Sequence, residues 1–260
     1  MTRTPSEIDH LSQSSIKTFL DCERMWAAFY LDELPRRPGV ALLKGSAVDK
    51  VAEHNWRLRM DGYDTIELEE AKHLAEDFFR NEVDRAGGRG EVDWGNDTFP
   101  GALDSSVRMA ERHMKDHAPL ITPTAVQKKL SRRLPDGRQV IGFLDAVDEN
   151  GNAVDVKTGG RALNQEDANR DLQPTAYNWL LNNPGRFRYF RVIDSGRSPV
   201  RSEVVETYRG ERALSWFETL ATNTSKRIDA GDYITRPGWH CRFCPLRDTC
   251  VDALISDGDR

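Results

Sequence analysis

Apolar residues recur at helical spacing through the first half of the chain and alternate, strand-like, through much of the second. Residues 12–34 read as one helix. Ser14 or Ser15 would cap it, and Ile16, Phe19, Leu20, Trp26, Phe29 and Tyr30 form a broad apolar face with Cys22 inside. Pro35 and Pro38-Gly39 end it. Helices are predicted over 44–60, 67–83 and about 103–117, with a Gly- and Asp-rich loop at 86–100 between the last two. The period then changes. Strands are predicted over 124–134 and 139–147, joined by Pro135-Asp136-Gly137. A polar loop at 158–169 leads to a helix at about 174–182. Strands at 186–193 and 199–207 and a helix over 211–230 follow.

The stretch 142–159, GFLDAVDENGNAVDVKTG, places a turn signal, Glu149-Asn150-Gly151-Asn152, between two apolar-rich runs. It predicts a β-hairpin whose polar exceptions carry the information. Asp145 interrupts the first strand. Asp155 and Lys157 lie two apart on the second and so share a side. Two carboxylates and a lysine converging there could hold a hard divalent cation and a water, or could simply face solvent. Register decides. A two-residue Asn150-Gly151 turn would set Asp145 against Val156 and split the charges between faces. A three-residue connection, Asn150-Gly151-Asn152, sets Asp145 against Lys157 and puts the apolar residues on the other face. The expectation is that connection, or a β-bulge near Asp145 with the same effect.

Other pairs are more open. Asp49 and Glu53 share one face of the 44–60 helix, as solvated charges or as ligands. His113 and His117 are also four apart and read as surface histidines, since nothing nearby completes a metal site. Lys128, Lys129, Arg132 and Arg133 make a basic strip that either tracks phosphates or guards an edge strand. Gln173 and Tyr177 fall at and just inside the start of the 174–182 helix.

Composition narrows the class. With 260 residues, 30% charged and 38% hydrophobic, the chain suits a globular domain with a substantial core. No run approaches the ~20 apolar residues of a membrane span, and the N-terminus lacks a signal-peptide core, so a cytoplasmic protein is expected. The net charge of −5 excludes a general coat of positive charge, so any nucleic-acid contact must be local and aided by metal. The four cysteines suggest metal rather than disulfides in that compartment. Cys241-x-x-Cys244 with Cys250 five residues beyond is compact ligand spacing. Cys22 would complete a set of four from about 220 residues upstream. His240 is the rival fourth ligand, in a zinc site.

In order, the motifs are Cys22-Glu23-Arg24-x-Trp26, Gly45-x-x-x-Asp49, Gly142-x-x-Asp145, Asp155-x-Lys157, Gln173-x-x-x-Tyr177 and the final Cys-x2-Cys-x5-Cys. The combination resembles the RecB-like branch of the PD-(D/E)xK nucleases, in particular the CRISPR-associated four-cysteine exonucleases and their phage relatives. The resemblance spans nearly the whole chain. It implies an α/β fold, a mixed central β-sheet flanked by helices (a restriction-endonuclease-like core), in a single nuclease domain over 1–260. It implies that 12–34 and 236–252 meet at an iron–sulfur cluster of the 4Fe-4S type on Cys22, Cys241, Cys244 and Cys250. It further implies exonuclease cleavage of DNA, usually single-stranded. Asp145 and Asp155 would match the acidic ligands and Lys157 the motif lysine. Gln173 and Tyr177 would match the helix motif on the substrate side. Asp49 stands where that family often has histidine, but aspartate still suits Mg2+ or Mn2+. The backbone carbonyl of Val156 is a further ligand candidate. Such modules serve recombination, repair, phage DNA processing and CRISPR spacer acquisition, with unwinding left to a helicase partner. A non-cleaving DNA-binding or adaptor protein that keeps fold and cluster is the alternative.

Overall fold

The chain is described by a computed structural model over residues 3–250. Six strands and eight α-helices appear among those residues. Their order is β1 (His10–Ser12), α1 (Gln13–Asp21), α2 (Glu23–Tyr30), α3 (Val40–Met60), α4 (Leu68–Arg85), α5 (Phe99–Asp116), β2 (Ala125–Arg133), β3 (Gln139–Val147), β4 (Ala153–Gly159), α6 (Gln165–Arg170), α7 (Leu172–Leu181), β5 (Gly185–Ile193), β6 (Arg201–Arg209) and α8 (Glu211–Ala230). The strands form one mixed sheet in the order β1-β3-β4-β5-β6, with β2 also paired to β3. β4 and β5 run parallel, and the β2–β3, β3–β4 and β5–β6 pairs are antiparallel. The expected α/β fold with a mixed, helix-flanked sheet is therefore present. None of the described helices is long and apolar enough to cross a membrane.

Alternation along the strands builds two cores. On one face Val126, Ala146, Val154, Val156, Phe190 and Val192 meet Trp56 of α3 and Met109 of α5. On the other, Leu144, Val147, Ala153, Phe187 and Tyr189 pack with Ala168 of α6 and the flank of α7. The start of β3, through Val140, joins Phe19, Trp26, Trp179 and Phe217 in a third cluster that ties α1, α2, α7 and α8 together.

The single helix expected over 12–34 is two helices. Cys22 adopts an extended conformation (φ −161°, ψ 118°) between α1 and α2. Ser12, not Ser14 or Ser15, caps α1 by accepting from the Ser15 amide at 3.0 Å. The break has a partner far along the chain. The buried Glu23 carboxylate accepts from Arg227 at 2.6 Å, Arg236 at 2.9 Å and the Ile234 amide at 3.3 Å. The Arg24 amide donates to the Ile234 carbonyl at 3.2 Å. The first turn of α2 thus spends its polar groups on the C-terminal segment. Two further departures are local. α3 starts at Val40, behind Gly39, and the polar loop at 158–169 contains α6, where the Asn164 side chain accepts from the Asp167 amide at 2.8 Å.

His113 and His117 are not on the surface. Both are fully buried, with Nδ1 atoms 3.4 Å apart, and His117 stacks on Phe190 at 4.9 Å between ring centroids. Burial, with a smaller effect of His117, pushes His113 down to about 3. Burial takes His117 to about 4 against the opposing charge of Asp116. The helical spacing was visible in sequence, but the depth of that face of α5 was not.

Both histidines stay neutral in the fold, whereas in the unfolded chain they take protons below about pH 6.5. Stability should therefore fall as pH drops from about 6.5 toward 4, by up to ~1.4 kcal/mol per pH unit for each histidine. Because buried carboxylates shift stability the other way over this range, the loss is read as the difference between wild type and a histidine variant in urea titrations at pH 7 and pH 5. His113→Leu, close in volume, should flatten it, and an unchanged slope would show that the pair is not responsible.

Candidate active site

β3 and β4 pair at only two positions, Ala146 with Val154 and Val147 with Ala153. The hairpin connection has three residues, as expected, but they are Glu149, Asn150 and Gly151. Asp148 faces Asn152 through a 3.0 Å backbone bond, so the register lies one place earlier in the loop than the one expected. The reason is the Asp148 side chain. Its Oδ1 accepts from the Asn150 and Asn152 amides at 2.9 and 2.8 Å, and Gly151 takes the left-handed turn position at φ 79°. The connection keeps its odd length. Extended by one pair, this register would set Asp145 opposite Asp155 rather than Lys157, but the ladder ends at Ala146–Val154.

Past that short ladder β4 leaves β3, while its other edge stays paired with β5 throughout, from Ala153–Phe187 to Gly159–Ile193. Farther back, the same edge of β3 carries β1, at Gln139 to Ile141. Between β1 and β4 the edge is open, and the site lies in this gap. Asp145 Oδ2 accepts from the Val156 amide at 2.8 Å, taking the place of a strand partner. The N–H and C=O of one strand residue point to the same edge, so the Val156 carbonyl is also aimed into the gap. Asp155, 2% exposed, receives the Gln173 amide on Oδ1 at 2.5 Å and the Lys157 ammonium against Oδ2 at 2.7 Å.

Two glycines let helices reach the gap from both sides. A Cβ at Gly45 would stand 3.0 Å from Thr158 Oγ1, so its absence lets α3 lie against β4 and bring Asp49, one turn on, to the site. A Cβ at Gly142 would meet Leu180 at 2.7 Å and Tyr177 at 3.0 Å, so α7 can press onto β3 and place Gln173 and Tyr177. Glu53 turns away to Arg57, with Oε1 accepting from Nε at 2.8 Å. Of the two acids on that helix face, Asp49 is the one whose charge is felt by Asp145.

The electrostatics are those of crowded, buried carboxylates. Burial, then the charges of Asp155 and Glu53, push Asp49 up to about 7. Asp145 is raised well above the usual carboxylate range by burial and by the charges of Asp155 and Asp49. Asp155 is raised by burial against the pull of Lys157. Burial opposes the Lys157 charge, but Asp155 and Asp145 outweigh it and hold the ammonium above its ordinary range. Burial takes the Tyr177 phenol to about 12. Asp49 Oδ1 is buried without a hydrogen bond, and Asp155 Oδ2 has only the ion contact with Lys157. Buried oxygens left unspent are costly, and a hard cation satisfies them. Among the described residues no three His, Cys, Asp or Glu side chains are already drawn together as ligands of one ion. Their oxygens are instead tied to Lys157, Gln173, Gln127 and the Val156 amide.

Sequence reasoning missed Gln127. Its Nε2 donates to Asp49 Oδ2 at 3.2 Å, and its backbone sits at φ 45°, a costly conformation for a side-chain-bearing residue. It lies across from Asp145 in the β2–β3 ladder, where Val126–Ala146 and Lys128–Leu144 pair on either side. At this point the alternation inverts. Leu144 and Ala146, two apart, pack on opposite faces of the sheet. The register is kept on both sides, so this is no β-bulge, and the bulge offered as the alternative to an odd-length connection is absent from the β2–β3 pair. A glutamine in a basic strand carries no signal of the inversion. The basic strip itself divides. Arg132 is spent on the Trp179 carbonyl at 2.9 Å and stacks 4.5 Å from that ring, whereas Lys128 and Lys129 stay exposed.

The cysteines lie elsewhere, and among the described residues they, like the acids, are not drawn together as ligands of one ion. Cys22, Cys241, Cys244 and Cys250 line one cavity, together with Arg24, Arg236, Arg247 and His240. The His240 ring is engaged by the Arg236 carbonyl at 2.9 Å through Nε2. Cys22, Arg24 and Met25 thus share a cavity with residues between 235 and 250, while 251 and 252 of the expected segment 236–252 lie outside the described residues.

The family model described as the PD-(D/E)XK nuclease superfamily matches residues 10–251. A crystal structure from Eubacterium rectale, described as a "Putative exonuclease", superposes with a TM-score of 0.59 at 13% identity, over 96% of this chain and 89% of that one, and shares its fold. A second structure, SSO0001, reaches a TM-score of 0.38 at 13% identity over 93% and 96% of the two chains, too loose a likeness to add to this. No curated protein matches the chain.

Crowding should make this site a cost to the metal-free fold. Asp49 is pushed up to about 7 in the fold, against an ordinary carboxylate value when unfolded. The fold therefore bears the charge penalty fully above pH 7 and sheds it toward pH 4. Asp49→Asn should raise the melting temperature of chelator-treated protein at pH 8, and the gain should shrink steadily toward pH 5. A loss of stability at pH 8 would contradict the electrostatic account.

Proposed function

The chain belongs to the PD-(D/E)XK nuclease superfamily, and on that premise we propose that it is a deoxyribonuclease that removes nucleotides from DNA ends, on single strands. The observation that carries this reading is the convergence of Asp145, Asp155, Lys157 and Asp49 at the open edge between β3 and β4. Mg2+ or Mn2+ would be held by Asp49, Asp145 and Asp155 with the Val156 carbonyl. This all-oxygen set suits either ion, and the unspent Asp49 oxygen lies within it. Bound there, the cation would acidify a water and offset charge on the scissile phosphate.

The side chains do the rest. In the metal-free site Asp155 and Asp145 hold the Lys157 ammonium above its ordinary range, and that positive charge would offset charge on the phosphoryl oxygens. Gln173 fixes the Asp155 rotamer through Oδ1, and Gln127 does the same for Asp49 through Oδ2. Tyr177 retains its phenolic proton, so it can donate to a phosphate or lie against a base. The intact Lys157–Asp155 pair argues against a non-cleaving adaptor. Work in DNA recombination, repair or processing, beside a helicase or a recombination or CRISPR partner, fits an enzyme that acts on strands already opened.

We also propose that the four cysteines hold an iron–sulfur cluster, 4Fe-4S in type. Four thiols around one cavity match its ligand demand, and the lining arginines would offset its negative charge. His240 already has a backbone partner, which weakens the zinc alternative.

Two experiments test these readings. Labelled single-stranded DNA is incubated with enzyme and Mg2+, Mn2+ or chelator. Asp155→Asn should abolish cleavage, and Lys157→Ala should lower kcat by about 10²–10³ with circular dichroism unchanged. Cleavage by Lys157→Ala at the wild-type rate would overturn the site. Separately, anaerobically purified protein should be brown and contain iron. Cys22→Ser should lose the iron and become sensitive to proteolysis near its C-terminal segment. Stoichiometric zinc in place of iron would decide for the zinc site.

A further inference from the structure

Beside α2 lies an open groove apart from the carboxylate site. Its walls are α2, the 35–39 linker and the turn that carries Trp239 and Arg242. Its chemistry is specific. The Arg36 guanidinium lies 3.6 Å from the centre of the Phe29 ring and 5.1 Å from that of Tyr30. Stacking of this kind holds a guanidinium flat and leaves its N–H edge available. No hydrogen bond from that edge to the described protein is present, and the residue is exposed. Arg37 and Arg242 line the same groove, with Arg37 anchored to the Gly90 carbonyl. The Trp239 ring is 70% exposed at its mouth. Two acids, Asp21 and Asp93, also line it, so three arginines outnumber them locally in a chain whose net charge is −5.

Preoriented guanidinium edges beside an exposed indole make a phosphate-and-base contact, the combination that single-strand binders use. We propose that this groove holds the unreacted part of a single-stranded nucleic acid whose end lies at the carboxylate site. The proposal rests on the nuclease reading. The layout supports it, because the linker that bears Arg36 and Arg37 runs directly into α3, and Asp49 stands nine residues inside that helix. At the helical rise this places Asp49 about 13 Å along α3 from Val40, the residue at which the linker ends. An acidic protein segment would answer the arginines but would leave Trp239 without a base to stack on.

The test uses the full chain carrying Asp155→Asn, so that DNA binds without being cut, and labelled oligothymidylates of about four and about twelve nucleotides, the range of single-strand site sizes. Fluorescence anisotropy gives the affinities. Arg36→Ala with Arg242→Ala, and separately Trp239→Ala, should weaken the longer oligonucleotide ~10-fold and leave the shorter unchanged. The longer one should also quench tryptophan emission, and that quench should be absent in Trp239→Phe. Equal affinity for the longer oligonucleotide in all variants would overturn the groove, and so would an equal loss for both lengths. Displacement of the oligonucleotide by polyglutamate at the same charge concentration would assign the groove to acidic protein and overturn it too. A failed groove with intact wild-type cleavage leaves the nuclease reading standing. No binding of either length together with no cleavage overturns both.

Discussion

Everything at the candidate site follows from one divergence. β4 stays with β3 for only two residue pairs, while its other edge is paired with β5 along its whole length. A strand that leaves its neighbour exposes backbone donors and acceptors that must find partners. Here the Val156 amide finds the Asp145 carboxylate. The gap is thus closed by side-chain chemistry instead of a ladder, and a carboxylate of the candidate site belongs to the sheet's own hydrogen bonding. The regular part of the sheet, from β4 through β6, is a rigid frame for that gap.

The second condition is access from both faces. Gly45 and Gly142 remove the two methylene-sized obstacles that would hold α3 and α7 away. The result gathers acids from three elements into a poorly hydrated space, and their mutual repulsion is visible in how far burial and neighbouring charge raise Asp49 and Asp145. Such an arrangement persists because the surrounding packing over-determines it. Trp56, Met109 and Phe190 on one side and Phe187 and Tyr189 on the other supply that packing.

Much of this was legible in the chain. Amphipathic periods located the long helices and most strands, and α8 was read with its observed bounds. An odd-length connection in the hairpin was read correctly, though it lies one place earlier in the loop than expected. The Asp148 turn was not read, although an aspartate two residues before Asn-Gly is a local signal for such a loop. The break at Cys22 was hidden because its cause, the bond network on Glu23, reaches residues 204 and 213 positions away. The burial of His113 was hidden for the same kind of reason, since Phe190 and Trp56 come from distant segments. Gln127 had no local signal. Its conformation is imposed by an inversion of the sheet that only the assembled strands define.

The clasp on Glu23 also sets a schedule. β1 waits for β3, its partner about 130 residues later, and α2 waits for Arg227, Ile234 and Arg236. A chain emerging from the ribosome at roughly 5–20 residues per second therefore holds its N-terminal helices unfinished for on the order of ten seconds or more. During that interval Phe19 and Trp26 lack the α7 and α8 surfaces that later cover them. The same distant contacts that close the domain make its first forty residues the part most dependent on protection while it is being made.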